Sequence, residues 1–278
     1  MTVEVVLLGT GNPLPDPARA GPASLVRAGG KTFLVDAGRA VCMRLVAAGV
    51  LPMMLDAVLL THLHSDHISD LGDVLTTHWV MNPVERSLPL SGPKGTRQVV
   101  DGIMTMLGSD ISYRRSHHAD LDWDPKFDVT EIAPGLVFDD AEVRITAAAT
   151  DHRPVEPTFA FRFEHDGQSV VIAGDTVPCD GLDELCAGAD IYVQTVLRDD
   201  LVRLVLAERF RETIGYHSTV EQAARTAARA GVATLVLTHQ IPSPAPGSVG
   251  EWTAIASRHF DGRVVFGEDL VRITTSSP

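Results

Sequence analysis

Three histidines and an aspartate fall within the seven residues Thr61-His62-Leu63-His64-Ser65-Asp66-His67, directly after the apolar run Ala57-Val58-Leu59-Leu60. Imidazole nitrogen and carboxylate oxygen are the usual ligands of catalytic zinc, and mixed His and Asp sites also admit manganese or iron. In an extended segment side chains alternate, so His62 and His64 point the same way while Leu63 turns into the core. Asp66 is a good helix N-cap, and with His67 it begins the next helix, which can swing a carboxylate and a third imidazole toward a neighbouring point. One short segment can therefore serve two metal ions. A lone histidine is more often a surface or satisfied core residue, and it is the clustering at the end of a strand that reverses this expectation.

A cluster of that kind needs a scaffold that brings strand ends together. Residues 3–8 predict a first strand, closed by Gly9-Thr10-Gly11 and a proline-rich loop that runs to Pro22. Strands follow at 23–26, 32–35 and 57–60, with a helix over 41–48 and a second over 95–107. A second series of strands is predicted at 129–132, 136–138, 143–147, 159–163 and 169–172, with His165-Asp166-Gly167-Gln168 as the turn between the last two. Helices at 199–213, 220–230 and 249–260 then alternate with strands at 235–238 and 263–266. Two groups of strands with helices interspersed fit a β-sandwich covered by helices on both outer faces, an α+β fold. No repeat or interdomain linker divides residues 1–278, so a single domain is expected.

With 278 residues, 45% hydrophobic and 21% charged, the chain can bury a sizeable core without disulfides. No stretch reaches the roughly 18 apolar residues of a membrane span, and the N-terminus lacks the features of a signal peptide. A cytoplasmic protein with no membrane partner is expected. Cys42, Cys179 and Cys186 are an odd number, which favours reduced thiols. The formal charge of −13 argues against a general nucleic-acid coat. Arg114-Arg115 beside His117-His118, and Arg198 and Arg203, read as solvated surface. His78, His117, His118, His165 and His259 fall outside every motif and read as structural or solvated. Asp70 and Asp73 complement a helix N-terminus. Arg19, in the loop after the first strand, and Arg153 are candidate contacts to a substrate anion.

The segment from His62 to His67 resembles the His-x-His-x-Asp-His motif of the metallo-β-lactamase superfamily. That resemblance implies a four-layer αβ/βα sandwich and three further ligands, and residues that match are present: His152 in Thr150-Asp151-His152, Asp175 in Ala173-Gly174-Asp175-Thr176, and His239 in Leu237-Thr238-His239. By the resemblance, His62, His64 and His152 bind one metal ion, Asp66, His67 and His239 bind the second, and Asp175 bridges them. It implies two divalent ions, zinc first, with manganese or iron as alternatives, and a hydroxide held between them as nucleophile. An aspartate rather than a cysteine at position 175 points away from the antibiotic-hydrolysing enzymes and toward the phosphodiesterase, sulfatase and lactonase branches. Two divalent cations, two carboxylates and one hydroxide sum to about +1, which favours an anionic substrate.

Ribonuclease Z and its relatives resemble the chain over nearly its whole length, through Leu8-Gly9-Thr10-Gly11, Leu34-Val35-Asp36-Ala37-Gly38, Gly92-Pro93-Lys94-Gly95, Tyr216-His217-Ser218-Thr219 and the metal motifs. The implied activity is phosphodiester hydrolysis, with Asp66 and His217 as catalytic residues and His217 assisting the leaving oxygen. An arylsulfatase-like or lactonase-type ester hydrolase is the alternative. A non-catalytic binding protein would be expected to have lost ligands, and none is missing. Two departures bear on the substrate. The long arm that grips transfer RNA in ribonuclease Z, inserted between the third histidine ligand and the bridging aspartate, is replaced by the short hairpin 158–172. A glutamate that orients the catalytic histidine in the family is replaced by Thr195 in Gln194-Thr195-Val196-Leu197. The expectation is a small anionic ester as substrate, weak RNA affinity, and a homodimer like its relatives.

Overall fold

Over residues 2–275, which the computed structural model describes, two mixed seven-stranded sheets pack face to face. The first contains β1 (Glu4–Gly9), β2 (Ala23–Ala28), β3 (Lys31–Val35), β4 (Ala57–Leu59), β5 (Leu88–Gly92) and β6 (Phe127–Glu131) in that order, with β14 (Arg272–Thr274) beside β1. The second runs in order from β7 (Gly135–Asp139) through β8 (Arg144–Ala149), β9 (Phe159–His165), β10 (Gln168–Ile172), β11 (Ile191–Leu197) and β12 (Thr234–Ile241) to β13 (Arg263–Phe266). Helices α1 (Val41–Ala47), α2 (Ser65–Ile68), α3 (Leu71–Met81), α4 (Thr96–Met106) and α5 (Gly108–His117) belong to the first half. The second half carries α6 (Asp180–Cys186), α7 (Asp199–Val202), α8 (Glu208–Arg211), α9 (Val220–Ala230) and α10 (Val249–Ala256). No helix among the described residues is long and apolar enough to cross a membrane.

Strand periodicity explains the layering. Along β1, Val5 and Leu7 join the core between the sheets, whereas Val6 and Leu8 join a second core under α1, α3 and α4. Along β12, Val236 faces the central core, and Leu235 and Leu237 pack under α6, α9 and α10. Burial on both faces is why these strands read as continuous apolar runs. The result is the expected four-layer sandwich. The four-residue helices carry little packing of their own, but α9 is firmly specified: Thr219 and Gln222 form a capping box, and Gly231 ends the helix at φ 66°.

Strand direction decides where the site lies. β9 is antiparallel to both β8 and β10, and β10, β11 and β12 are parallel, so β8, β10, β11 and β12 all end on one edge. In the facing sheet β4 runs parallel to β3 and β5. The loop after β4 meets that edge through the Phe159 N–H, which donates to the Thr61 carbonyl at 2.9 Å.

Several elements differ from expectation. The helix predicted over 199–213 is broken into α7, α8 and a 3-10 turn at Glu212–Gly215. Leu204 and Leu206 are exposed, so no core supports a continuous helix there, and Arg211 donates to the carbonyls of Val205 and Leu206. β5 is absent from the predicted set because Pro89 lies in it and proline removes a ladder donor. The helix predicted over 249–260 ends at Ala256. Arg198 is buried rather than solvated; its guanidinium makes two 2.7 Å contacts with Asp200 and lies over the Trp252 ring. Arg114, Arg115 and Arg203 are paired at the surface with Asp110, Asp124 and Asp199. All three cysteines are free thiols.

Candidate metal centre

Four different segments converge at the shared edge. After β4 the chain stays extended through His64, whose φ of −61° and ψ of 146° make it the N-cap of α2. Asp66 therefore lies in the first turn of that helix rather than capping it. His152 follows β8, and Asp175 follows β10. Gly174 precedes Asp175 because a Cβ there would stand 2.6 Å from the Thr61 Cβ, so the two loops touch backbone to side chain. His239 is in β12 with φ at 48°, a left-handed conformation that is strained for a non-glycine residue and tolerated where the surroundings fix it.

The side chains fall into two groups: His62, His64, His152 and Asp175, then Asp66, His67 and His239. Within each, the ligand atoms lie within 4.8 Å of one another. Asp175 Oδ2 joins them, standing 3.8 Å from His62 Nε2 and 3.9 Å from His152 Nε2 on one side. On the other it is 3.5 Å from His67 Nε2 and 3.7 Å from His239 Nε2. All of these residues except His64, which is half-buried, are buried. His67 Nε2 and Asp175 Oδ1 have no hydrogen-bond partner despite burial. Buried polar atoms left this way are costly unless a ligand takes them up.

Hydrogen bonding behind the cluster fixes the tautomers. The Nδ1–H of His152 donates to the Tyr216 carbonyl at 2.7 Å, and that of His67 donates to Asp36 Oδ2 at 2.8 Å. The Thr61 hydroxyl donates to Asp36 Oδ2 and lies 3.0 Å from His62 Nδ1. With Nδ1 protonated, each Nε2 turns a lone pair toward the centre, which is the state that ligates a cation. His62 Nε2 and His152 Nε2 lie 3.1 and 3.3 Å from His64 Nδ1, so lone pairs converge on one point. The donor set and the unpartnered atoms fit two divalent ions.

Electrostatics separates the two groups. Burial holds His62 well below the ordinary histidine range, with repulsion from His67 adding to it, and burial brings His152 down to about 4. At His67 burial also disfavours the charged form, but the Asp175 and Asp36 carboxylates outweigh it and raise the pKa well above normal. Asp175 is held well below the usual carboxylate range although burial opposes this, because His239, His67 and His217 surround it.

His217 lies against this centre. Its Nδ1–H donates to the Thr213 carbonyl at 2.9 Å, and its Nε2 is 3.2 Å from Asp175 Oδ2. Thr195, at the position where the resemblance implied a glutamate, is buried in β11. The two candidate anion contacts are engaged elsewhere. Arg19 donates to Thr10 Oγ1 at 2.7 Å and Gln240 Oε1 at 3.0 Å, and the exposed Arg153 is paired with Asp151. Asp70 occupies the N-cap position of α3, where its side chain accepts from the Ala40 N–H rather than from the helix, and Asp73 sits in the first turn of α3. Asp36, Thr61 and the Thr213 carbonyl carry roles that ligand motifs do not announce. The left-handed φ of 61° at Asp36, a position quoted above only as part of Leu34-Val35-Asp36-Ala37-Gly38, goes with its burial beside the cluster.

Residues 31–240 match the family model described as the beta-lactamase superfamily domain. The chain is 54% identical over 278 residues to a protein named ribonuclease Z from Mycolicibacterium paratuberculosis, with 99% of each chain covered. It is 54% identical over 273 residues to ribonuclease Z of Mycobacterium bovis, with 98% of each covered. Among solved structures, the short form of human tRNase Z matches with a TM-score of 0.73 and 24% identity, covering 99% of this chain and 100% of that one. The metallo-beta-lactamase fold protein YhfI from Bacillus subtilis matches with a TM-score of 0.76, also at 24% identity and with 99% and 100% covered.

Proposed function

This chain belongs to the ribonuclease Z family of the beta-lactamase superfamily and is a metal-dependent phosphodiesterase, and from that premise we propose that it cuts RNA, with His217 assisting the leaving oxygen. The observation that carries this is the meeting of both ligand groups on Asp175 Oδ2, with His217 Nε2 3.2 Å from the same atom. His62, His64 and His152 would hold one divalent ion, Asp66, His67 and His239 the other, and Asp175 would contact both; zinc suits this donor set. When bound, two such ions acidify a water and polarise a phosphoryl oxygen. His217 is fixed by the Thr213 carbonyl so that its other nitrogen faces the centre, where it can pass a proton to the departing oxygen.

A small ester as the natural substrate, expected from the missing arm, draws no support from relatives named ribonuclease Z that align along their whole length. Small diesters are still expected to turn over, since the centre needs only the phosphate. With a formal charge of −13 and few cations to neutralise phosphates, RNA affinity is expected to be modest and its salt dependence shallow. A cytoplasmic homodimer accords with the family resemblance, and light scattering tests the dimer.

Metal-loaded protein is to be assayed on a 3′-extended transfer RNA precursor, bis(p-nitrophenyl) phosphate, p-nitrophenyl sulfate, a homoserine lactone and a β-lactam. His217→Ala should lower kcat on RNA by roughly 10²–10⁴-fold. It should do far less to the nitrophenyl diester, whose leaving group needs no proton, and leave the metal content unchanged. Faster turnover of the sulfate or the lactone than of either phosphodiester would sink the assignment.

A further inference from the structure

A cavity of about 350 Å³ opens onto the candidate metal centre, with His64, Asp175 and His217 in its floor. The volume is in the range of small-ligand sites, about 300–1,000 Å³. Its walls are of a different character. Val202 of α7 is buried, Phe210 of α8 is half-buried with Arg209 over its ring at 5.0 Å, and Leu14 faces them from the loop after β1. Hydrolysis at the centre uses none of these apolar side chains, and a phosphate alone has no surface to match them. A flat heterocycle tethered to the phosphate does.

We propose that this cavity seats the base of the nucleotide whose oxygen leaves, with one face of the base against Phe210. This rests on the phosphodiesterase assignment. The side follows from His217, which lines the cavity and is the group placed to protonate the leaving oxygen. A base can enter only when it is unstacked, so the nucleotide at the cut must be unpaired, and the cavity selects single-stranded positions over duplex ones. Stacking on an aromatic ring tolerates every base, so the preference is for an unpaired state and not for a sequence.

The test uses metal-loaded protein and an RNA hairpin with an unpaired 3′ extension, with 2-aminopurine placed at each unpaired position in turn. Binding should quench the fluorophore at the position that product mapping shows to carry the leaving oxygen. Phe210→Ala and the milder Phe210→Leu should both restore the fluorescence. Phe210→Ala should raise KM roughly tenfold with little change in kcat. An abasic site at that position should raise the wild-type KM equally and remove the effect of Phe210→Ala. Unchanged circular dichroism and metal content would show the variants folded. An equal KM penalty from Phe210→Ala on base-bearing and abasic RNA, or the absence of Phe210-dependent quenching at every position, would overturn the proposal. If wild-type protein cut no RNA, the proposal that it cuts RNA would fail, while quenching at one position that depends on Phe210 would still support the cavity as a base site.

Discussion

Replacing Asp36 with asparagine should weaken metal binding although Asp36 lies in neither ligand group. Its Oδ1 accepts from the Thr61 N–H at 2.8 Å, and its Oδ2 accepts from both the Thr61 hydroxyl and His67 Nδ1–H, each at 2.8 Å. Asparagine keeps only one acceptor oxygen. With that oxygen on the Thr61 N–H, its NH₂ faces the Thr61 hydroxyl, which can rotate, and the His67 Nδ1–H, which cannot. His67 relieves the clash by moving its proton to Nε2, the atom aimed at Asp175 from 3.5 Å, and so loses the lone pair that would ligate. The backbone is not the cause, because φ of 61° suits asparagine as well as aspartate. Loss of a partner behind a ligand typically costs about 10–100-fold in metal affinity, or roughly 1.4–2.8 kcal/mol. Titration against a chromogenic chelator should show one ion weakened by that factor and the other, bound by His62, His64 and His152, weakened less. Two ions bound by Asp36→Asn at wild-type affinity would refute the tautomer argument.

Arg19→Ala should lower stability by about 1–3 kcal/mol in urea unfolding, because Thr10 and Gln240 lose a charged donor, while KM stays within twofold. Arg153→Ala should change neither stability nor KM; a tenfold rise in KM would show that its pairing with Asp151 is not its only use. Buried His78, brought down to about 4 by burial with Arg86 adding to it, gives a pH test. Its folded pKa lies below the unfolded value of 6.5, so the unfolded chain takes up the proton first; the stability is present above 6.5 and is lost as pH falls toward about 4. Its share of the loss is about 3 kcal/mol at most, and His78→Leu should flatten that part of the unfolding profile between pH 7 and 4.

The clustering of the candidate ligands was legible because such side chains leave dense signals at strand ends, and both the edge of the sandwich and the strands that supply it follow from apolar runs that are easy to see. Val170-Val171-Ile172 and Leu235-Val236-Leu237 are buried on both faces, and Asp175 and His239 come just after them. What stayed hidden is support that uses backbone or ordinary residues. The Tyr216 and Thr213 carbonyls belong to every sequence, and Asp36 lies 31 residues before the histidine it orients. Phe210 lies in a segment that reads as one helix over 199–213, whereas the structure breaks it into the short pieces that line a cavity, with Leu204 and Leu206 exposed between them.

The threonine at position 195 and the short hairpin 158–172 have separate consequences. A threonine at position 195 removes a carboxylate, yet His217 remains held from several directions. Its Nδ1–H reaches the Thr213 carbonyl, and the next residue, Ser218, donates from its hydroxyl to the Thr176 carbonyl at 2.8 Å, tying the histidine turn to the Asp175 turn. The Ser218 carbonyl accepts from the Leu197 N–H at the end of β11, and Thr219 caps α9 immediately beyond. These contacts use main-chain groups and two hydroxyls, so the histidine is placed without a charged partner behind it. The arm, by contrast, would act on the body of a large RNA far from the bond that breaks. Without it an RNA would be held less tightly, whereas the groups around Asp175, on which the proposed cutting would depend, are brought together in this structure.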